Sequence, residues 1–354
     1  MNLSPRQQPV RGFAVLVALV AIAVLSIMAG ALAISMKVES QLAQNSNDSE
    51  DLLWIARGGV NYACWLLAAE PPGPSSLNQK WAGGPGTGLE TNGPLVSITP
   101  DDLKNFHVGD GIASLEIVEQ EGKININAAD AELLHSVLAD KVDAGDISPI
   151  TDSILDWIDP NDAPLLAGAE SDYYQGLNPP YYAKNAPMDS IDEIRLTKGF
   201  IEYAQRMGGK SEGPSPFPHH KLGFANEEVS PDDLMKFFHQ VFTPYSNGRI
   251  NINTAQREVL ELIPGMDTPT LENILTLRSS ISGPAGDGVF SSIAQLQPAV
   301  SNPQLLQMLN RYCTTRGDTY EVTVTATVGN SSRKFVAVIY RNGFNTQVVD
   351  FHPK

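Results

Sequence analysis

Residues 13–36 read FAVLVALVAIAVLSIMAGALAISM, 24 residues without a charge. At about 1.5 Å per residue, a helix of that length spans the roughly 30 Å hydrocarbon core of a bilayer. Twelve of the residues are Phe, Val, Leu or Ile. At about −0.3 to −0.6 kcal/mol each near the bilayer centre, they favour insertion by roughly 4 to 7 kcal/mol. Arg6 and Arg11 precede the run and no acid does. The positive-inside rule then predicts Met1 in the cytoplasm and the bulk of the chain across the membrane. A cleaved secretory signal has a shorter apolar core followed by a small-x-small site. Here the run is longer, and its helical pattern continues through Leu42, Leu52, Ile55 and Trp65 to Pro71-Pro72. A plain signal anchor and a processed membrane helix both remain open.

Beyond the membrane segment the chain has enough apolar residues to bury a core. They make up 42% of its 354 residues, more than a disordered chain carries. Two cysteines exclude a disulfide scaffold and a Cys-based zinc cluster. Cys64 lies in an apolar helical stretch, so a buried thiol and a bridge to Cys313 are both open. With 24 basic and 40 acidic residues the net charge is −16. That excludes a bulk nucleic-acid binder, because phosphate binding runs on Lys and Arg.

The helix predicted over 37–70 ends at Pro71-Pro72-Gly73-Pro74, since Pro cannot continue a helix. Residues 71–100, rich in Gly and Pro, read as a surface loop. Residues 112–127 alternate as two strands around Glu121-Gly122. Helices are expected at 130–140, 148–158, 189–197, 199–207, 230–242, 255–263, 268–279 and 302–312, with a Gly/Pro/Ser break at 208–220. TYEVTVTATV, ending at Val328, and a return over 334–340 form a hairpin around Gly329-Asn330.

Ile124-Asn125-Ile126-Asn127 recurs as Ile250-Asn251-Ile252-Asn253, each before a helix. Asn is a strong N-cap, so the pair reads as strand exit plus helix cap. The second copy and LENILTLR resemble a helix-hairpin-helix module around Ile263-Pro264-Gly265-Met266-Asp267. Asp267 would repel a phosphate there, so a packing role is expected. Residues 130–175 hold eleven acids and one basic residue, Lys141. Carboxylates interleaved with Pro and Gly suit a hard cation such as Ca²⁺. A solvated acidic loop and a carboxylate pair for glycoside hydrolysis are the alternatives, and nothing supplies a sugar cleft. GGPGTG at 83–88 does not fit a phosphate loop. Gly209-Lys210-Ser211 lacks the first glycine of a nucleotide loop, and His219-His220 lack a spaced third ligand.

Two sets of residues carry a family resemblance. Arg11-Gly12-Phe13 resembles the processing signal of type IV pilins and type II secretion pseudopilins. That implies cleavage after Gly12 and methylation of the new Phe13 amine. The fifth processed residue is Val17, where most pilins carry Glu; a Val matches the K-type minor pseudopilins. DWIDPNDAPLLAGAESDYYQGLNPPYYAKNAPMDSIDEI resembles the central signature of the general secretion pathway protein K family. Asp156, Trp157, Ile158, Asp159, Gly168, Ala169, Glu170, Tyr173, Pro179, Pro180, Tyr181, Asn185 and Pro187 fill its places.

The resemblance implies an α+β, pilin-like fold. A long N-terminal transmembrane helix packs on an antiparallel sheet, interrupted by a large α-helical insertion with helix-hairpin-helix or SAM-like segments. The implied divisions are a leader over 1–12 and a helix over 13–70. A body loop with the first strands follows over 71–128, then an inserted α-domain over 129–244. The body returns over 245–345, with a tail over 346–354. Calcium is implied on Asp156, Asp159, Asp162, Glu170 and Asp172. The implied role is a non-enzymatic minor pseudopilin at the tip of a type II secretion pseudopilus. Its partners would be the I and J types, with secreted cargo or the outer-membrane channel as further contacts. It would sit in a bacterial inner membrane, single pass, with its body in the periplasm. A membrane-anchored DNA-handling protein and an anchored hydrolase are the competing functions.

Overall fold

A computed structural model describes residues 11–86, 93–208, 229–281 and 288–354. The leader up to residue 10, most of the 208–220 break, Gly209-Lys210-Ser211, His219-His220 and the end of GGPGTG lie outside them. One helix, α1 (Arg11–Ala69), contains the whole apolar run. Residues 15–39 are exposed throughout and are long and apolar enough to cross a membrane. The same helix then becomes a core element. Leu52, Ile55, Ala56, Val60, Ala63, Leu66 and Leu67 are buried at three- and four-residue spacing, so one stripe faces inward. Fully burying each Leu, Ile or Val there contributes about 1.5–3 kcal/mol. Gly59 brings the helix against the sheet, where a Cβ would crowd Val324 and Leu115.

That stripe packs on a five-stranded antiparallel sheet. Short α2 (Pro100–Lys104) precedes β1 (Phe106–Val108) and β2 (Gly111–Glu119). The sheet is completed by strands from the far end of the chain, β7 (Thr319–Val328), β8 (Ser331–Asn342) and β9 (Asn345–Pro353), in the order β1-β2-β7-β8-β9. β2 alternates buried and exposed residues, as a half-buried strand requires. Residues 346–354 are not a free tail. β9 pairs with β8 from Asn342↔Asn345 to Phe335↔Pro353. Residues 71–100 are likewise not wholly a surface loop, for Trp81 is 1% and Ser75 2% exposed. Trp81 stacks edge-on against Tyr320, and that contact draws the loop under the sheet.

Between β2 and β7 lies a helical domain with its own core, which runs from Ile124 to Cys313. Its elements are β3 (Ile124–Asn125), α3 (Ala131–Leu138), α4 (Ala144–Ile158), α5 (Ser171–Gln175), α6 (Lys198–Gly208) and α7 (Pro231–Val241). They continue with β4 (Phe242–Thr243), β5 (Ile250–Asn251), α8 (Arg257–Glu261), α9 (Thr268–Ser280), α10 (Pro303–Tyr312) and β6 (Cys313–Thr314). Val259, Leu260, Ile263, Leu271 and Ile274 share that core. The second helical hairpin therefore packs with the insertion and not with the sheet. Residues 124–125 do not return along β2. They pair in parallel with β4, as β5 pairs with β6.

The two Asn-Ile-Asn segments are one structural unit used twice, and neither caps a helix. The caps are Asp130, which accepts from Leu133 N at 3.0 Å, and Gln256. In each copy the first Asn accepts from the backbone N–H of the second, Asn127 or Asn253. The second Asn then binds a distant loop through both ends of its amide. Asn127 accepts from Met188 N and donates to the Met188 and Pro244 carbonyls. Asn253 accepts from Phe290 N and donates to the Phe290 and Thr315 carbonyls. Cys64 and Cys313 are free thiols, the first against the sheet and the second in the helical core.

Candidate metal centre

The acidic signature forms around the end of α4. Asp156 sits in the helix's last turn and Asp159 is its C-cap. No basic residue occupies that turn. Carboxylates at a helix C-terminus meet the negative end of the helix dipole, so this placement favours a cation. The chain then loops through Pro160 and Pro164 and returns at Gly168-Ala169-Glu170. Asp156 is fully buried, and both its oxygens accept from Leu165 N at 3.1 Å. Asp152 accepts from Ala167 N at 3.0 Å. A Cβ at Gly168 would overlap Asp156 Oδ2, so only glycine lets the returning loop lie on that carboxylate.

Glu170 completes the cluster. One ligand oxygen from each of Asp156, Asp159 and Glu170 lies within 4.8 Å of the others. Glu170 is 5% exposed, and among the described residues neither of its oxygens has a hydrogen-bond partner. Burial, and then the charges of Asp156, Asp159 and Asp162, push its carboxyl up to about 7. Burial also pushes Asp156 above the usual carboxylate range, with the charge of Asp159 adding to it. Buried oxygens with nothing to accept from are rare. A hard, oxygen-seeking divalent ion meets that need, and an all-carboxylate donor set suits calcium. The residues present therefore fit the ion.

Two of the five sequence candidates stand outside this group of three. Asp162 is exposed and accepts from Asn185 Nδ2 at 2.8 Å. Asp172 is exposed on α5. Both line an adjoining cavity of about 590 Å³ together with Glu170, Tyr173, Tyr182 and Lys198. The aromatic residues of the signature are scaffold. Trp157 and Tyr174 are buried and meet edge to face. Trp157 Nε1 donates to Glu193 Oε2 at 3.0 Å, and Glu193 also holds Lys184 at 2.7 Å. Gly12 and Phe13 lie in the first turn of α1.

Known proteins resemble this chain. The family model for type II secretion system protein K matches residues 112–206, which contain β2 from its second residue on, the first Asn-Ile-Asn copy and the acidic cluster. Type II secretion system protein K of Klebsiella pneumoniae is 25% identical over 209 residues, covering 53% of this chain and 58% of the relative. Its namesake from Aeromonas hydrophila is 27% identical over 199 residues, with the same two coverages. The putative protein K of Escherichia coli K12 is 38% identical over 61 residues, 17% of this chain and 19% of that one. The chain thus spans about three fifths of the first two relatives. A chain in the crystal structure of the GspK-GspI-GspJ complex from enterotoxigenic Escherichia coli superposes with a TM-score of 0.63 at 16% identity. That match covers 88% of this chain and 99% of the other. The resemblance to protein K read from the sequence is borne out.

Proposed function

We propose that the chain is a K-type minor pseudopilin of a type II secretion system, capping the tip of the pseudopilus with I- and J-type subunits. The observation that carries this reading is α1. It is bare over residues 15–39 and buried on a sheet over Leu52–Leu67. Such a helix can rest in a membrane and later pack against other helices without refolding the body. The helical domain between β2 and β7 is bulk that a subunit within a filament would have to accommodate and a terminal subunit would not. Its chemistry is assembly and not turnover.

Several finer features belong to the same reading. Cleavage after Gly12 and methylation of Phe13 would free the helix for assembly from a bacterial inner membrane, with the body in the periplasm. Asp156, Asp159 and Glu170 would hold calcium, which supplies the positive charge that the end of α4 lacks. Asp162 and Asp172 would act on the ion through the adjoining cavity. The α8–α9 hairpin, of helix-hairpin-helix or SAM-like shape, serves packing. Its Asp267 is engaged in capping α9 through Thr270 N at 2.8 Å, and its apolar face is buried.

The test is assembly. The full chain in detergent should form a stable ternary complex with the I- and J-type pseudopilins of the same cell. The N-terminal mass of the protein from its native membrane should begin at methylated Phe13. A chain that elutes alone and keeps Met1 beside an active peptidase overturns the reading.

A further inference from the structure

The chain crosses between the sheet body and the helical domain twice, over 118–123 and again over 314–319. Glu119 and Glu121 lie on the first crossing and are 3% and 0% exposed. Glu119 Oε1 accepts from Asn251 Nδ2 at 2.6 Å and from Thr254 Oγ1 at 2.9 Å. The end of β2 is thereby tied to the second Asn-Ile-Asn segment. Asn251 Nδ2 also donates to Ser75 Oγ at 2.8 Å, and Ser75 Oγ accepts from Gly317 N at 2.7 Å. Glu121 Oε1 accepts from Asn247 N at 3.2 Å and Oε2 from Thr319 N at 3.1 Å. The two side chains therefore join both crossings, the loop after α1 and the helical domain.

Three of the four carboxylate oxygens are occupied by donors. The fourth, Glu119 Oε2, is buried with no hydrogen-bond partner among the described residues. A bare anionic oxygen in such a place costs far more than a neutral one. The charges around the pair do not neutralise it. Asp318, on the second crossing, adds repulsion at Glu119. Tyr320 on β7 faces both carboxyls and Arg341. Arg341 on β8 donates to the carbonyls of Glu70 and Pro71. Glu70, at the end of α1, receives Lys80 N and Trp81 N. Lys123 faces Glu321 and Lys354 and donates to the His239 carbonyl.

We propose that Glu119 and Glu121 share a single proton, carried on Glu119 Oε2, and that its loss loosens the neck between the sheet body and the helical domain. Placed there, the proton leaves every observed hydrogen bond of the pair intact. The direction of the pH effect follows from linkage. Burial raises Glu119, and burial with the charge of Glu119 raises Glu121 to about 7. A carboxyl raised in the folded state stabilises fully below its unfolded value of 4.5. That stabilisation is lost as pH rises through the folded value. The neck is tight in acid and loosens above neutrality.

Glu119→Gln tests this, because the amide can keep Oε1 as acceptor and place a neutral group at the Oε2 position. The full chain in detergent carries Glu170→Gln as common background, which removes the loop carboxyl raised to about 7. The parent should melt about 3–6 °C higher at about pH 5.5 than at about pH 8.5. Adding Glu119→Gln should give the higher melting temperature at both values. An unchanged pH slope in that variant overturns the proposal. Infrared spectroscopy supplies an arm independent of how the variant folds. The parent should show a protonated-carboxyl stretch near neutral pH, and its absence also overturns the proposal.

Discussion

Two of the molecule's groups of buried carboxylates, at the neck and in the loop after α4, are dressed differently. At the neck, Glu119 and Glu121 receive hydroxyl, amide and backbone donors on three oxygens of four. In the loop after α4, Glu170 receives none on either oxygen among the described residues. Both groups are seated by a glycine whose Cβ would overlap a carboxylate, Gly317 on Glu119 and Gly168 on Asp156. The difference lies in what remains unsatisfied. One lone oxygen calls for a proton. Two bare oxygens beside two further carboxylates, at the negative end of a helix, call for a divalent cation.

Calcium is the strongest way to separate the two. Titrated into the full chain, it is expected to stabilise by about 2.7 kcal/mol at about 100-fold excess over Kd, read as a rise in Tm. Glu170→Gln should weaken binding at least about tenfold, since about 1.4 kcal/mol of ion contact suffices for that. Glu119→Gln should leave it unchanged, as separate sites add independently. Calorimetric titration of both variants decides; equal losses in the two would erase the distinction between the clusters.

The glycines sharpen the same contrast at a smaller scale. Gly168→Ala and Gly317→Ala should each destabilise by about 1–3 kcal/mol through overpacking. Only Gly168→Ala should weaken calcium, because it displaces Asp156. Chemical denaturation beside calcium titration reads both effects. A Gly317→Ala chain that loses calcium affinity would mean the neck and the loop are coupled.

The two clusters were unequally legible before folding. The loop carboxylates lie between residues 156 and 172, punctuated by Pro and Gly, so proximity in sequence predicted proximity in space. What sequence could not rank was which acids turn inward. Asp162 and Asp172 carry the same chemistry as Asp156 but stay exposed, because the α4 axis and the Gly168 return decide burial. The neck was invisible. Its partners, Ser75, Asn251, Thr254, Gly317 and Thr319, come from three distant stretches that only the tertiary fold assembles. The Asn-Ile-Asn repeat was legible as a repeat, yet its role as helix cap was not borne out. Local propensity favours Asn at a cap, while the parallel pairs β3–β4 and β5–β6 recruit it to bind loops far along the chain. The apolar N-terminal helix and the β7–β8 hairpin, written in long regular patterns, were the most readable parts. β9 escaped because Asn345–Pro353 is an edge strand with a broken alternation.

In a pH series, only the loop cluster should respond to calcium. Without the ion, Glu170 is raised to about 7, above its ordinary 4.5, so stability falls as pH rises between those values. Calcium binds the ionised form, so with the ion present the loop's contribution should cease to fall and rise instead. The contribution of the neck should fall with pH whether or not calcium is added. Differential scanning calorimetry of Glu119→Gln and Glu170→Gln, each with calcium and with chelator, separates the trends. A calcium-insensitive slope in Glu119→Gln would remove Glu170 from the proposed metal centre.

The smallest expected effect concerns the outer acids. Asp162→Asn and Asp172→Asn each remove an exposed charge that lines the cavity beside Glu170. Exposed charges act through water, are screened over about 10 Å at ordinary salt, and contribute about 0–1 kcal/mol. Each variant should weaken calcium less than about fivefold, and the loss should shrink in high salt, which a direct ligand's loss would not do. Affinity measured at low and high ionic strength tests this. A salt-independent loss as large as that of Glu170→Gln would make Asp162 or Asp172 a ligand, and the centre would then extend from the end of α4 into the cavity.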